Sequence, residues 1–173
     1  MRNLIEAPRL ALALEQWRDL LLSDAGGADI LSPLVNRLAD AQPGILAYIF
    51  FGCHEDGAPR FAFMGTEAAE TLKVDSRHGA RPIGPRLGAL DSIIAATDRR
   101  RGAAFIRAQV KQIEYAILIL PTGPDASGAP GFLGVYEEGP PVSPDRRFIL
   151  EYLEAPADAA REGDNITPLR DAG

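Results

Sequence analysis

Few residues in this chain carry side chains suited to covalent or metal chemistry. Cys53 is the only cysteine, and His54 and His78 are the only histidines. Serine hydrolysis would place one imidazole between a serine and an acid, and no Gly-x-Ser-x-Gly elbow is present to present the serine. Cys53 and His54 are adjacent, so on a strand they point to opposite faces, poor geometry for a thiol–imidazole pair. Cys53 reads better as a small apolar filler at a strand end. His54 opens a turn and reads as exposed, and His78 stands in a loop as an ordinary surface residue. One cysteine excludes an intramolecular disulfide, and no Cys/His cluster has zinc-binding spacing. No residue is therefore expected to be catalytic or to ligate a metal; a carboxylate-rich magnesium or calcium site stays open, although no Asp-rich EF-hand-like loop is present, and the residues name no cofactor. What remains for an enzyme is a buried carboxylate, with Glu114 or Asp91 as the candidates on a small cone-shaped α+β fold.

The phosphate-binding signals are equally thin. Gly79 to Gly88 holds neither a Walker lysine–threonine nor a Gly-x-Gly-x-x-Gly after a strand, so its glycines and prolines shape a connection. Arg99-Arg100-Arg101 could grip a phosphate, but cations at a helix C-terminus need no ligand to explain them. The 173 residues carry 18 Lys plus Arg against 24 Asp plus Glu, a net charge of −6 that disfavours a nucleic-acid partner. No stretch reaches the roughly 20 apolar residues of a membrane span. The N-terminus is interrupted by Glu6, Pro8 and Arg9 and lacks a cleavable signal, so a cytoplasmic protein without a membrane partner is expected.

The elements that must position these residues follow from periodicity. Leu10, Leu14, Trp17 and Leu21 recur at four, three and four, one face of a helix with Pro8 in its first turn and Gly26-Gly27 after it. That face suits either packing on the chain's own core or contact with a second copy or partner protein. A second helix is predicted from the Ser32 N-cap and Pro33 to before Pro43-Gly44. Strands are predicted over Ile45–Phe51 and Phe61–Met64, joined by a turn containing Asp56-Gly57. A short helix from Glu67 to Leu72, capped by Thr66, precedes a loop and a longer helix carrying Leu87, Leu90, Ile93 and Ile94. Three more strands are predicted: Ala103–Val110, Ile113–Leu120 and Gly131–Tyr136, the last two flanking a loop from Pro121 to Pro130. A short helix through Phe148, Ile149, Leu150 and Leu153 is expected next. From Glu154 onward five acids face two bases, which reads as a solvated tail. The domains implied are an N-terminal helical segment (1–42), a core (43–138) and a C-terminal extension with an acidic tail (139–173).

This order resembles the PAS domain family, whose five antiparallel strands lie in the spatial order 2-1-5-4-3. More narrowly, it is similar to the single-domain PAS proteins of alphaproteobacteria, in which a Gln-Trp-Arg-type helix precedes the sheet. Gln16-Trp17-Arg18, Asp29-Ile30-Leu31-Ser32-Pro33 and the Gly65-Thr66 that ends Phe61–Met64 carry that similarity. So do Ile117-Leu118-Ile119-Leu120-Pro121 and Gly131–Tyr136, so that it spans roughly Leu10 to Tyr136. Two departures stand out: Leu72-Lys73-Val74-Asp75 lacks the family's glycine, and no proline starts the third strand near Arg101-Gly102-Ala103.

The resemblance implies an α+β fold, a five-stranded antiparallel sheet covered on one face by helices, with N-terminal helices in addition. It implies a bacterial sensory or regulatory module without its own output domain, acting through a homodimer, a signalling partner or a small apolar ligand. The pocket would be lined from Tyr48, Phe50, Phe61, Phe63, Leu72, Ile94, Phe105, Tyr115, Ile117 and Leu133, residues that a filled core would use equally. Leu10, Leu14, Trp17 and Leu21 are the residues expected to meet a dimer mate or partner. The flavin–thiol photochemistry of light-sensing relatives needs a helix cysteine in a specific motif, which Cys53 does not occupy.

Overall fold

A computed structural model describes residues 7–23, 29–56, 58–72, 88–110, 113–139 and 149–154. The tail beyond 154, His78 and Leu87 lie outside them. The elements run α1 (Pro8–Leu22), α2 (Leu31–Ala41), a one-turn 3-10 helix (Ile45–Tyr48), β1 (Ile49–Glu55), β2 (Ala58–Met64), α3 (Thr66–Leu72) and α4 (Gly88–Arg100). Then follow β3 (Ala103–Val110), β4 (Ile113–Pro124), β5 (Pro130–Gly139) and β6 (Ile149–Leu153). The strands form one antiparallel sheet in the order β2-β1-β5-β4-β3-β6. The fold is α+β and PAS-like: the first five strands stand in the 2-1-5-4-3 order that the resemblance implied.

Four expectations need correction. The sheet has six strands, not five, because Ile149–Leu153 extends beside β3 instead of forming a helix. Five residues are too few for periodicity to separate the two states, and the open edge of β3 decides for strand. The start of the predicted first strand, Ile45–Tyr48, is a 3-10 turn, entered through Gly44 at φ +87°. β4 runs on to Pro124, shortening the predicted loop to the turn around Asp125, whose carboxylate accepts bonds from the Ser127 N–H, Ser127 hydroxyl and Ala129 N–H. Finally, helices cover both faces of the sheet, not one.

Two buried clusters record that double cover. α1 and α2 contribute Leu10, Leu14, Trp17, Leu34 and Leu38 to one, where they meet Phe105, Leu118, Leu120, Leu133 and Val135 of the sheet. On the opposite face Leu90, Ile93 and Ile94 of α4 and Ala68 of α3 meet Phe50, Phe61, Ala104, Ile106, Ile119 and Phe132. Strand side chains alternate between faces, so the continuous apolar run Ile117–Leu120 feeds both clusters in turn.

The two N-terminal helices start in different ways. Asp29 accepts a bond from the Leu31 N–H at 2.9 Å, so α2 begins two residues after Asp29 and not at the predicted Ser32 cap. α1 begins at Ala7, a residue with no capping side chain. At its other end α4 stops as expected, with Arg101 in the left-handed region (φ +49°) and the Gly102 N–H donated to the Thr97 carbonyl. Arg100 stacks over the Tyr152 ring at 4.3 Å, fastening β6 to α4 without any ligand.

Candidate functional site

The residues expected to line one pocket are divided by the strand pleat. Phe50, Phe61 and Ile94 are buried together on the α3/α4 face, with Leu72 and Ile117 partly buried against them. Phe50, Phe61 and Phe132 meet edge to face at centroid distances of 5.7 to 6.5 Å. Phe105 and Leu133 belong to the opposite cluster, under α1 and α2. Phe63 also leaves the group, because the pairing slips between Phe51 and Gly52: Phe51 faces Phe63, but Gly52 faces Phe61. That bulge makes Ala62 the extra residue and changes the phase of β2. Phe63 consequently stacks on Phe51 at 5.1 Å, on the α1/α2 side, and stays 36% exposed. A Cβ at Gly52 would overlap the Arg60 carbonyl, so this close approach requires glycine.

The expected partner-binding face of α1 is likewise corrected. Leu10, Leu14 and Trp17 are buried in the chain's own core and Leu21 packs against it, so this face meets the sheet and not another molecule. The Trp17 indole N–H donates to the Pro121 carbonyl at 2.8 Å, and the Ile30 N–H donates to the Thr122 carbonyl at 2.9 Å. Both carbonyls sit where the β4–β5 register is irregular, between Pro121 and Gly123. The irregularity turns backbone groups out of the ladder, where the N-terminal helices use them.

Tyr48 and Tyr115 fall into a third place, at the sheet end where β5 finishes. Tyr136 stacks between them, with ring centroids 6.4 Å from Tyr48 and 5.9 Å from Tyr115. Arg9 of α1 lies over the outer face of Tyr48, its guanidinium carbon 3.7 Å from the centroid. Burial pushes the Tyr136 phenol up to about 12, with the Glu138 carboxylate and Tyr115 adding to the rise and a bond with Thr71 of α3 opposing it. The phenol donates to Glu138 at 3.3 Å. In a spectrophotometric titration one of the four tyrosines should therefore ionise near pH 12, and Tyr136→Phe should remove that late transition. The folded state holds this proton more firmly than the unfolded chain, so its contribution is full below pH 10 and is lost as pH climbs through 12.

The next residue, Glu137, faces the other way and is 8% exposed. Its carboxylate accepts the Arg9 backbone N–H at 3.0 Å, with a further bond from the Leu10 backbone, and Arg9 Nη1 lies 3.8 Å away. These are the first N–H groups of α1, which a helix leaves without partners of its own. Glu137 thus supplies the cap that Ala7 cannot, from 128 residues along the chain. Arg9, Thr71, Tyr136, Glu137 and Glu138 are functional candidates that the sequence reading missed. One signal was present: Leu133, Val135 and Glu137 share a phase, so an acid stood at a core-facing position.

Other candidates fare simply. Cys53 lies on β1 and its thiol is pushed up, first by burial and then by the Asp125 charge and hydrogen bond, which makes it a weaker nucleophile. Asp91 is half-buried on α4, and the side chain of Glu114 lies outside those described. Among the described residues no group of three His, Cys, Asp or Glu is arranged to hold a metal ion, and no helix is long and apolar enough to cross a membrane.

The site described is thus a sheet end of a PAS-like fold at which both helical layers are tied to one strand. Among solved structures, the chain is similar to a fungal LOV domain photoreceptor, at 14% identity and a TM-score of 0.41, over 69% of this chain and 97% of that one. No family model matches the chain, and no curated protein matches it.

Proposed function

We propose that this chain is a sensory or regulatory module of the PAS type, akin to the single-domain PAS proteins of alphaproteobacteria. It acts by binding and not by catalysis, in the cytoplasm, with α1 as the element that responds. The input is a small apolar ligand on the α3/α4 face, among Phe50, Phe61, Leu72, Ile94 and Ile117. The output is a changed contact with a second copy or a signalling partner.

One observation supports this reading above the others. Neighbouring residues of β5 reach opposite layers: Tyr136 bonds to α3 through Thr71, and Glu137 holds the start of α1. A shift of α3 that moved this strand end would therefore reach α1 through a single peptide unit. The test is amide hydrogen exchange on the full chain carrying Tyr136→Phe, with Thr71→Val as the second variant. Faster exchange in the first turns of α1, with β4 unchanged, is expected. Unaltered exchange across α1 in both variants would sink the coupling. Native mass spectrometry of the purified chain tests the input and the assembly, with a bound small molecule and a dimer as the expected species.

A further inference from the structure

We infer that the arginine triplet at the end of α4 is a docking surface for this chain's own acidic segment, residues 158–164. Arg99, Arg100 and Arg101 are all exposed. Among the described residues neither Arg99 nor Arg101 forms an ion pair, and Arg100 lies over the Tyr152 ring of β6. The negative end of the helix dipole accounts for cations in the last turn, but position 101 lies just past that turn. Its backbone is left-handed (φ +49°), a conformation that glycine takes at least cost, yet arginine stands there.

The fold delivers the acids to this spot. β6 runs antiparallel to β3, so its last residue, Leu153, faces Ala103, the first residue of β3. A Cβ on Gly102 would stand 2.6 Å from the Leu153 carbonyl oxygen and 3.7 Å from the Glu154 Cα. Glu154, exposed just after β6, therefore lies beside the residue that follows the triplet. From Glu154 to Asp164 four acids (Glu154, Asp158, Glu162, Asp164) stand against one base (Arg161), a net of −3. On α4, Asp98 reduces the three positive charges to a net of +2. Asp158 follows Glu154 by four residues, a reach of at most about 14 Å, and Asp164 by ten, at most about 35 Å. Asp158, Glu162 and Asp164 are thus all tethered within reach of Arg101 and its neighbours. Exposed ion pairs are weak, each shifting an equilibrium by about 1.4- to 5-fold, and salt screens them. A short tether offsets that weakness by holding the acids at an effective concentration in the millimolar range. The contact is accordingly a rapid, salt-sensitive equilibrium. Its effect falls on the sheet edge: β6 is the outermost strand, and the docked segment holds its end to α4 beside the Arg100–Tyr152 contact.

The experiment compares backbone amide and arginine Nε–H chemical shifts of the full chain with those of the triple variant Asp158→Asn, Glu162→Gln, Asp164→Asn. Shift changes are expected at Arg99–Gly102 and Tyr152–Glu154, with β1 and β2 unmoved. About 0.5 M sodium chloride added to the unaltered chain should reproduce them. In an Arg99→Gln, Arg101→Gln background the same tail substitutions should lose most of their effect at Gly102. A triplet undisturbed by neutralising the tail, or a change that persists in full in the glutamine background, would overturn the docking. Changes independent of protein concentration support the chain's own segment as the occupant. Changes that fade on dilution would assign the acids to a second copy and overturn it. Sodium phosphate at equal ionic strength should act as chloride does; a saturable shift specific to phosphate would make the triplet a free-anion site instead. If the arginine double variant does not fold, the tail variant, which alters no described residue, decides with the salt series. A failure here leaves the α3–α1 coupling of the proposed function untouched.

Discussion

Trp17→Ala should lower the unfolding free energy by about 3–5 kcal/mol, the cost of deleting a large buried aromatic. Trp17 is 1% exposed, between α2 and the sheet, and its indole N–H satisfies the Pro121 carbonyl. Trp17→Phe keeps much of the volume but orphans that carbonyl, and should cost about 1–3 kcal/mol. Urea unfolding followed by far-UV circular dichroism reads both. A residue whose role was to meet a partner would behave otherwise: its alanine variant would shift the assembly state and leave the monomer midpoint in place. That outcome would overturn the placement of α1 on the core.

Phe50→Ala is the second large effect expected, again about 3–5 kcal/mol, because the ring is fully buried between Phe61 and Phe132. The same ring lies on Gly134 of β5, where any Cβ would overlap it. Gly134→Ala must then displace that buried ring, at about 1–3 kcal/mol. The two substitutions address one space, so the double variant should be less destabilised than their sum, by about 0.5–3 kcal/mol. Additive behaviour in a double-mutant cycle would show that Phe50 does not rest on Gly134 in solution.

What the sequence disclosed depended on how local the deciding force was. The four-three-four spacing of Leu10, Leu14, Trp17 and Leu21 defined the apolar face of α1, because helical period is local. It left open what that face touches, since a core and a partner demand the same residues. The unbroken run Ile117–Leu120 already carried the sign of a strand buried on both sides. The pocket set failed for a different reason: its membership depends on the phase of each strand, and the bulge at Ala62 changes the phase of β2 through pairing with β1. β6 was ambiguous alone and was decided by the edge of β3. Glu137 was visible as an acid in a core-facing position, but its partner, the start of α1, is set by tertiary packing.

The long-range tethers of α1 also bear on the order in which the molecule can be made. Its bonds to Pro121 and Glu137 span 104 and 128 residues. α1 and α2 emerge from the ribosome before any strand of the sheet, and the strands that cover Leu10, Trp17 and Leu34 and complete the cap arrive in the last third of the described chain. Until β4 and β5 are synthesised, α1 has an apolar face without the strands that cover it. Closing such loops late is slow relative to local packing. The interval during which Trp17 stays wet is thus set by translation of the next hundred or so residues.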